Sequence, residues 1–351
     1  MRFGLVCRRA KWAKEMTERI CVVPRVSGVG GMVSFLHKFS EGALRRGVQV
    51  SNDLSDGPYS AVLVIGGTRQ LPALLRARQR GARVVQRLDG LNWIQRVRPI
   101  SLKHTLRAEY GNLVLALIRR FIAGRIVYQS GFSQGWWERR FGKLAKPSTV
   151  IYNGVDLQAY SPGSPPASQV YRLLVVEGSL GGGYENGLEN AVRLAEGLAA
   201  RGLPMQVQIV GEVSPALQAA WTARSSVPLL WSGLVRREQI PAFDRSAHLL
   251  FSADVHPACP NSVIEALACG LPVVAFETGS LCELVTPETG FVAPYGSDSW
   301  KLEPPDVDGL VSGAQNVLAD WPKFSRAARL RAENLFGLEH MLDQYLEALL
   351  G

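Results

Sequence analysis

Short apolar runs rich in β-branched residues recur along this chain, and between them the apolar positions fall three and four residues apart. In the first half, strands are expected at Cys21 to Val23, Ala61 to Ile65, Arg83 to Gln86, Ile126 to Tyr128 and Thr149 to Tyr152. The second half repeats the rhythm at Leu173 to Val176, Val207 to Val210, Leu229 to Trp231, Leu249 to Phe251 and Val273 to Ala275. After the first strand, Met32, Leu36, Phe39 and Ala43 share a helical face, and Gly47 stops that helix. Leu102, Leu106, Tyr110, Leu113, Leu117 and Phe121 mark one face of a later helix, and Leu342, Tyr345, Leu346 and Leu349 one side of the last.

Strand, helix and strand at this spacing predict parallel sheets, because each crossover must return over the sheet and covers its face. The tract SPGSPPAS from Ser161 to Ser168 suits neither a helix interior nor a central strand, and it divides the chain. The expected fold is α/β, with two doubly wound, Rossmann-like parallel-sheet domains facing a central cleft. Their expected bounds are 1–160 and 171–335, joined by a linker over 161–170, with a final helix over 336–351 packing back on the body. A length of 351 residues suits two domains of roughly 150 each. Ligands of such sheets sit beyond the carboxyl ends of the strands, so the cleft is the expected site.

A composition of 47% hydrophobic and 20% charged residues excludes a disordered, collagenous or coiled-coil chain. The apolar run Leu113 to Ile118 is ended by Arg119 and Arg120, far short of the roughly 20 residues of a membrane span. The early cations Arg2, Arg8, Arg9, Lys11 and Lys14 precede no apolar run, so no secretory signal is expected. Five cysteines, Cys7, Cys21, Cys259, Cys269 and Cys282, form no C-x-x-C, which suits reduced thiols in the cytoplasm better than a disulfide frame or zinc site. Charge is distributed unevenly. Residues 1–160 hold 27 Lys and Arg against 9 Asp and Glu, and residues 161–351 hold 12 against 21, so a net +18 faces a net −9. A basic half can meet nucleic acid, an anionic membrane or a phosphorylated acceptor, and charge alone does not choose.

Two segments carry candidate chemistry. Ser27-Gly28-Val29-Gly30-Gly31 joins a strand to a helix, where glycines let amides approach a phosphate. The dinucleotide fingerprint would need glycine where Val33 stands, and the Lys-Ser/Thr of a P-loop is absent, so this loop reads equally as a tight turn. In the second segment, Ser262 followed by Glu265 reads as a capping box, Gly270 as a C-cap and Pro272 as a stop. The same short helix follows a strand, so its N-terminus could instead hold a diphosphate on the amides of Asn261 and Ser262, with Glu265 accepting from a ribose diol.

PNSVIEALACGLPVV from Pro260, with IYNGVD at Ile151 to Asp156 and the Gly30-Gly31 loop, resembles the retaining glycosyltransferases of family 4, the group 1 glycosyltransferases of GT-B fold. WSGLVRREQIPAFDRSAHLLFSAD from Trp231 and ETGSLCELV from Glu277 fall in the family's order. The resemblance implies sugar transfer from a nucleotide-diphosphate donor with retention, requiring no metal or cofactor besides the donor. It places the nucleotide in the C-terminal domain and the acceptor in the N-terminal one. Glu265 matches the second acid of the E-x7-E pattern, a catalytic-site residue that binds the donor ribose. Asn261 and Ser262, with Val263 beside them, match the turn at the diphosphate; Gly31, with Gly30, matches the glycine closing over it; Leu234 and Val235 fall at the nucleobase.

The chain departs from the family in three places. Pro257 stands where the first acid belongs, with Asp254 and His256 nearby. Ser179 and Asn186 replace the phosphate-binding Arg and Lys, and a His-Asp type turn appears as Arg87-Leu88-Asp89-Gly90. The amides of Gly181, Gly182 and Gly183 could then serve the phosphate, with cations crossing from Arg25, Arg87 or Arg236. Asp89, at a strand's carboxyl end, is the candidate to take the acceptor proton or bind its hydroxyls, with Arg87 and Trp93 on the acceptor side.

The expected partners are a nucleotide-sugar donor and a glycan or lipid-linked acceptor for the cell surface. Trp93, Ile94, Arg96, Arg98, Lys103 and Arg107 mix cations with apolar groups, a combination suited to an anionic membrane surface. The expected location is therefore the cytoplasm, extending to the inner face of the membrane. Without interleaved aromatics or zinc-finger spacing, nucleic acid is not an expected partner. The alternatives are a non-catalytic protein of the same fold that binds a nucleotide sugar or a partner, and another GT-B activity such as a nucleotide-sugar epimerase.

Overall fold

The computed structural model describes residues 18–28, 30–98, 101–166, 169–180 and 185–351. Two six-stranded sheets organise them. The first contains β1 (Arg19–Val23), β2 (Gln49–Ser51), β3 (Ala61–Ile65), β4 (Arg83–Leu88), β5 (Arg125–Tyr128) and β6 (Ser148–Val150), ordered β2-β1-β3-β4-β5-β6. The second contains β7 (Tyr171–Ser179), β8 (Met205–Glu212), β9 (Leu229–Gly233), β10 (Leu249–Phe251), β11 (Val273–Phe276) and β12 (Gly290–Ala293), ordered β12-β11-β10-β7-β8-β9. Every pairing is parallel. β3 is buried throughout, and a core lies on each face of both sheets, as apolar runs without alternation require.

Several boundaries differ from those expected. β4 continues through Arg87 and Leu88, which places Asp89 immediately beyond its carboxyl end. The strand expected at Thr149 to Tyr152 ends at Val150, because Ile151 and Tyr152 already begin the crossing between the sheets. β2 and β12 are three- and four-residue edge strands that apolar runs did not mark.

The chain crosses between the sheets twice. The crossings are joined where Val155 donates to Phe336 O and Leu338 donates to Val155 O. The last helix, Leu338–Leu350, then returns to the first sheet, where Met341, Leu342, Tyr345, Ala348 and Leu349 enter the same core as Ile20, Phe35 and Leu63. Gly42 permits this docking, since a Cβ there would stand 2.2 Å from Leu342 Cδ1.

The helix Leu102–Leu117 is turned opposite to the usual rule for an apolar stripe. Val114 and Leu115 face the core, followed by Ile118 and Ile122 of a π-turn, Ile118–Ile122. Asn112 is buried with them and is satisfied by Asn92, accepting from its N–H and donating to its carbonyl. The six-residue stripe from Leu102 to Phe121 faces solvent, with exposures between 37 and 76%.

Candidate functional site between the two sheets

A cavity of about 1320 Å³ lies between the sheets, lined by the last residues of β4, β7 and β8 and by the segments that follow β1, β4, β5, β6, β9 and β10. All of these are carboxyl ends, because parallel strands deliver their following loops to one edge. On the first-sheet side stand Gly28, Gly30 and Gly31 with Arg87 and Asp89; on the other stand Glu177, Leu234 to Arg237, Asp254, Asn261, Ser262 and Glu265. Gly30 precedes the helix Gly31–Arg45 with φ 140° and ψ 174°, a conformation open essentially to glycine. A Cβ on Gly31 would stand 3.8 Å from Asn261 Nδ2, so the two halves approach closely here.

The helix Asn261–Ala268 has Pro260 as its N-cap and no side-chain cap, so the capping box expected of Ser262 and Glu265 does not form. Proline at 260 shifts the start of the helix, leaving Ser262 in its first turn and Glu265 one turn further along. Asn261, Ser262 and Glu265 all reach the cavity wall, whereas Val263 turns into the core below. Gly270 closes the segment with φ 72°, as its C-cap role predicts.

Burial pushes the Glu265 carboxyl up, while Lys38, Arg237 and Tyr160 oppose the shift. Lys38 Nζ stands 3.6 Å from Glu265 Oε1 and donates to Gly154 O at 2.7 Å. Neither Lys38 nor Arg237 was read from sequence: Lys38 lies mid-helix and comes to Glu265 only when the two halves pack, while Arg237 stands in a surface-like Arg-Arg pair that the fold of the second half turns toward Glu265.

Arg87 is buried, donates to Asn153 Oδ1 at 2.8 Å and lies over the Phe35 ring at 4.1 Å. Asn153 in turn donates to Cys259 O, which gives the IYNGVD segment a specific job: its amide links both halves beneath the cavity. Asp89 is partly buried, and burial raises its carboxyl with Arg87 opposing. Its carbonyl accepts from Ser133 Oγ and Trp137 Nε1, each at 2.8 Å, which fixes the backbone from which the carboxyl projects. Glu283 of the second half clasps the first across the cleft, accepting from the amides of Gly131 and Phe132 and from Tyr152 Oη.

The remaining candidates separate. Leu234, Val235 and Arg236 line the cavity. Ser179 borders a side recess of about 170 Å³ with Glu177 and Asp254. Trp93 is absent from the cavity wall; it packs edge-on against His256 and Trp300 in an aromatic cluster that also holds Phe132 and Trp136. Of the expected cross-cleft cations, Arg87 and Arg236 reach the cavity and Arg25 does not. Arg98 does cross, donating to Asn186 Oδ1 at 3.1 Å. Gly181, Gly182 and Gly183 lie outside the described residues, as do Cys7 and the early cations.

Carboxylates are more prominent than expected. Glu177 and Asp254 line the cavity together, and burial raises them to about 8 and about 6, with Asp254 adding to the shift of Glu177. Burial also pushes the Cys21 and Cys259 thiols up to about 12, which makes both unreactive.

Two parallel doubly wound sheets with their carboxyl ends across a shared cavity define the GT-B fold. Sucrose-phosphate synthase from Thermosynechococcus elongatus superposes with a TM-score of 0.73 at 18% identity, over 94% of this chain and 98% of that one. Anabaena HepE in complex with UDP and glucose superposes at 0.68 and 17% identity, over 95% and 99%. Residues 172–320 match the family model of glycosyl transferases group 1. A 2-deoxystreptamine glucosyltransferase from Streptomyces kanamyceticus is 27% identical over 169 residues, a match spanning 46% of this chain and 39% of that protein.

Proposed function

We propose that this protein transfers a sugar from a nucleoside-diphosphate donor to an acceptor hydroxyl, with retention of anomeric configuration and without a metal. The observation that carries this reading is the helix Asn261–Ala268, which opens into the interdomain cavity with Glu265 on its wall and the Gly30-Gly31 loop opposite. The free amides of its first turn suit a diphosphate. Glu265 accepts from the ribose diol, and Leu234 and Val235 offer an apolar edge to the base. Arg87, Arg236 and Arg237 are the cavity-lining arginines that neutralise the leaving diphosphate. Asp89, made more basic by burial, binds the acceptor hydroxyl and takes its proton.

The acceptor is a glycan or lipid-linked glycan, and the exposed stripe of the helix Leu102–Leu117 rests on an anionic membrane. Lys103, Arg107 and Arg120 beside the stripe supply the charge for that contact.

Calorimetry with UDP, GDP and ADP, and with their sugars, tests the donor site. Binding of at least one is expected, and binding of none overturns the reading. With the donor known, NMR of the product should show the donor's anomeric configuration, and turnover should persist in EDTA. Asp89→Asn should lower turnover about 10²-fold while leaving donor affinity near wild type. The cavity's Glu177 and Asp254 favour one rival, a protein that binds a nucleotide sugar without transferring it; tight donor binding with no turnover against any acceptor would select that rival.

A further inference from the structure

Glu265 and Lys38 form a wall between two cavities. Glu265 faces the donor cleft. Lys38 borders a second cavity of about 790 Å³ on the opposite side, enclosed by the helix Gly31–Arg45, the crossing segment Asp156 to Tyr160, the Arg237 to Arg245 region and the start of the last helix. The Lys38 side chain is 6% exposed, and its ammonium holds both Gly154 O and the carboxylate. An ammonium buried this far is retained only if charge and hydrogen bonds compensate it. Lys38 belongs to the first half of the chain and Glu265 to the second, so the pair exists only when the halves are packed together.

Resting on the donor reading above, we propose that Lys38 is the positioning residue of Glu265, holding its carboxylate from behind so that the free oxygen faces the donor ribose. Lys38 does not touch the donor. It keeps Glu265 ionised in a site that would otherwise favour the neutral acid, and it fixes the direction in which that carboxylate accepts from a ribose diol. The charged and titratable groups around the pair are Arg237, Tyr160, Cys259 and Asp244. Burial lowers the Lys38 ammonium to about 8, with Glu265 opposing that shift. Ammonium is the form below that value and amine the form above it, so the hold on Glu265 weakens as pH rises through about 8.

The test compares a ribonucleoside diphosphate with its 2′-deoxy form, using whichever of UDP, GDP and ADP the wild type binds. Wild type at pH 7 should prefer the ribo form about tenfold or more, as for a hydrogen bond to a charged group. Lys38→Met should bring the two affinities together, and Lys38→Arg should restore much of the difference. A merely structural Lys38 would weaken both ligands equally and leave the ratio intact. As a control that needs no variant to fold, the same ratio is measured on wild type at pH 7 and 9.5, where a decrease is expected. An unchanged ratio in folded Lys38→Met, or in wild type at pH 9.5, overturns the role of Lys38. Failure of wild type to bind any of the three nucleotides overturns the donor reading with it.

Discussion

Glu177 ends its side chain beside Asp254, at the carboxyl ends of the neighbouring strands β7 and β10, and neither acid forms an ion pair among the described residues. Their folded values, raised to about 8 and about 6, exceed those of the unfolded chain, so the native state binds protons more tightly. Stability from this pair is complete below the unfolded carboxylate range and is lost as pH rises through the folded values. Glu177→Gln should therefore melt near wild type at pH 4.5 and above it at pH 9, as thermal denaturation would show. The same pair makes the cavity more welcoming to an anionic donor on the acid side. At this scale Asn261, Ser262 and Glu265 were legible because residue type and spacing place them on one short helix. Lys38 was not, since a lysine three residues before Glu41 and seven residues before Arg45 looks like any helical cation until its partner is in place.

Among the elements, the helix Leu102–Leu117 shows where periodicity reaches its limit. A stripe at helical spacing states that one face is apolar, but not whether protein or something else covers it. Here two apolar faces compete, and the one with Val114, Leu115, Ile118 and Ile122 wins because it meets β4 and the helix Leu71–Gln79, while Asn112 finds its partners in Asn92. The outward stripe is then available for the membrane contact proposed above. Leu106→Glu combined with Leu113→Glu should abolish flotation with anionic vesicles at low salt. Its melting temperature should stay near wild type, since exposed substitutions usually alter stability by about 0.5 kcal/mol or less. Flotation equal to wild type would remove the stripe from the contact. The loop before the helix Asn261–Ala268 gives the complementary lesson: Ser262 and Glu265 fit a capping box by spacing, and Pro260 displaced it by becoming the N-cap.

Over the whole molecule, the halves are fastened by a few definite contacts: Asn153 beneath the cavity, Glu283 across the cleft, Lys38 with Glu265, and the paired crossings at Val155 and Phe336. The last helix makes the first domain depend on the final residues of the chain. Leu342 is fully buried in that contact, so Leu342→Ala should cost about 2–5 kcal/mol. Denaturant unfolding should show the loss, and a change below about 1 kcal/mol would mean that the helix is dispensable to the first core. The division of charge also gains a physical basis, since the cations near the exposed stripe belong to the +18 half and the cavity's carboxylates largely to the −9 half.

By itself the sequence determined every strand but the short edge strands β2 and β12, the parallel architecture and the segments bordering the cleft, because β-branched runs, helical spacing and turn residues act locally or between neighbours. Tertiary structure alone decided which face of Leu102–Leu117 is buried, that Trp93 serves an aromatic cluster instead of the cavity wall, and that Arg87 is a buried strut. It also placed Lys38 behind Glu265. Each of these depends on atoms many residues apart meeting at distances of a few ångströms, and local pattern carries no record of such meetings.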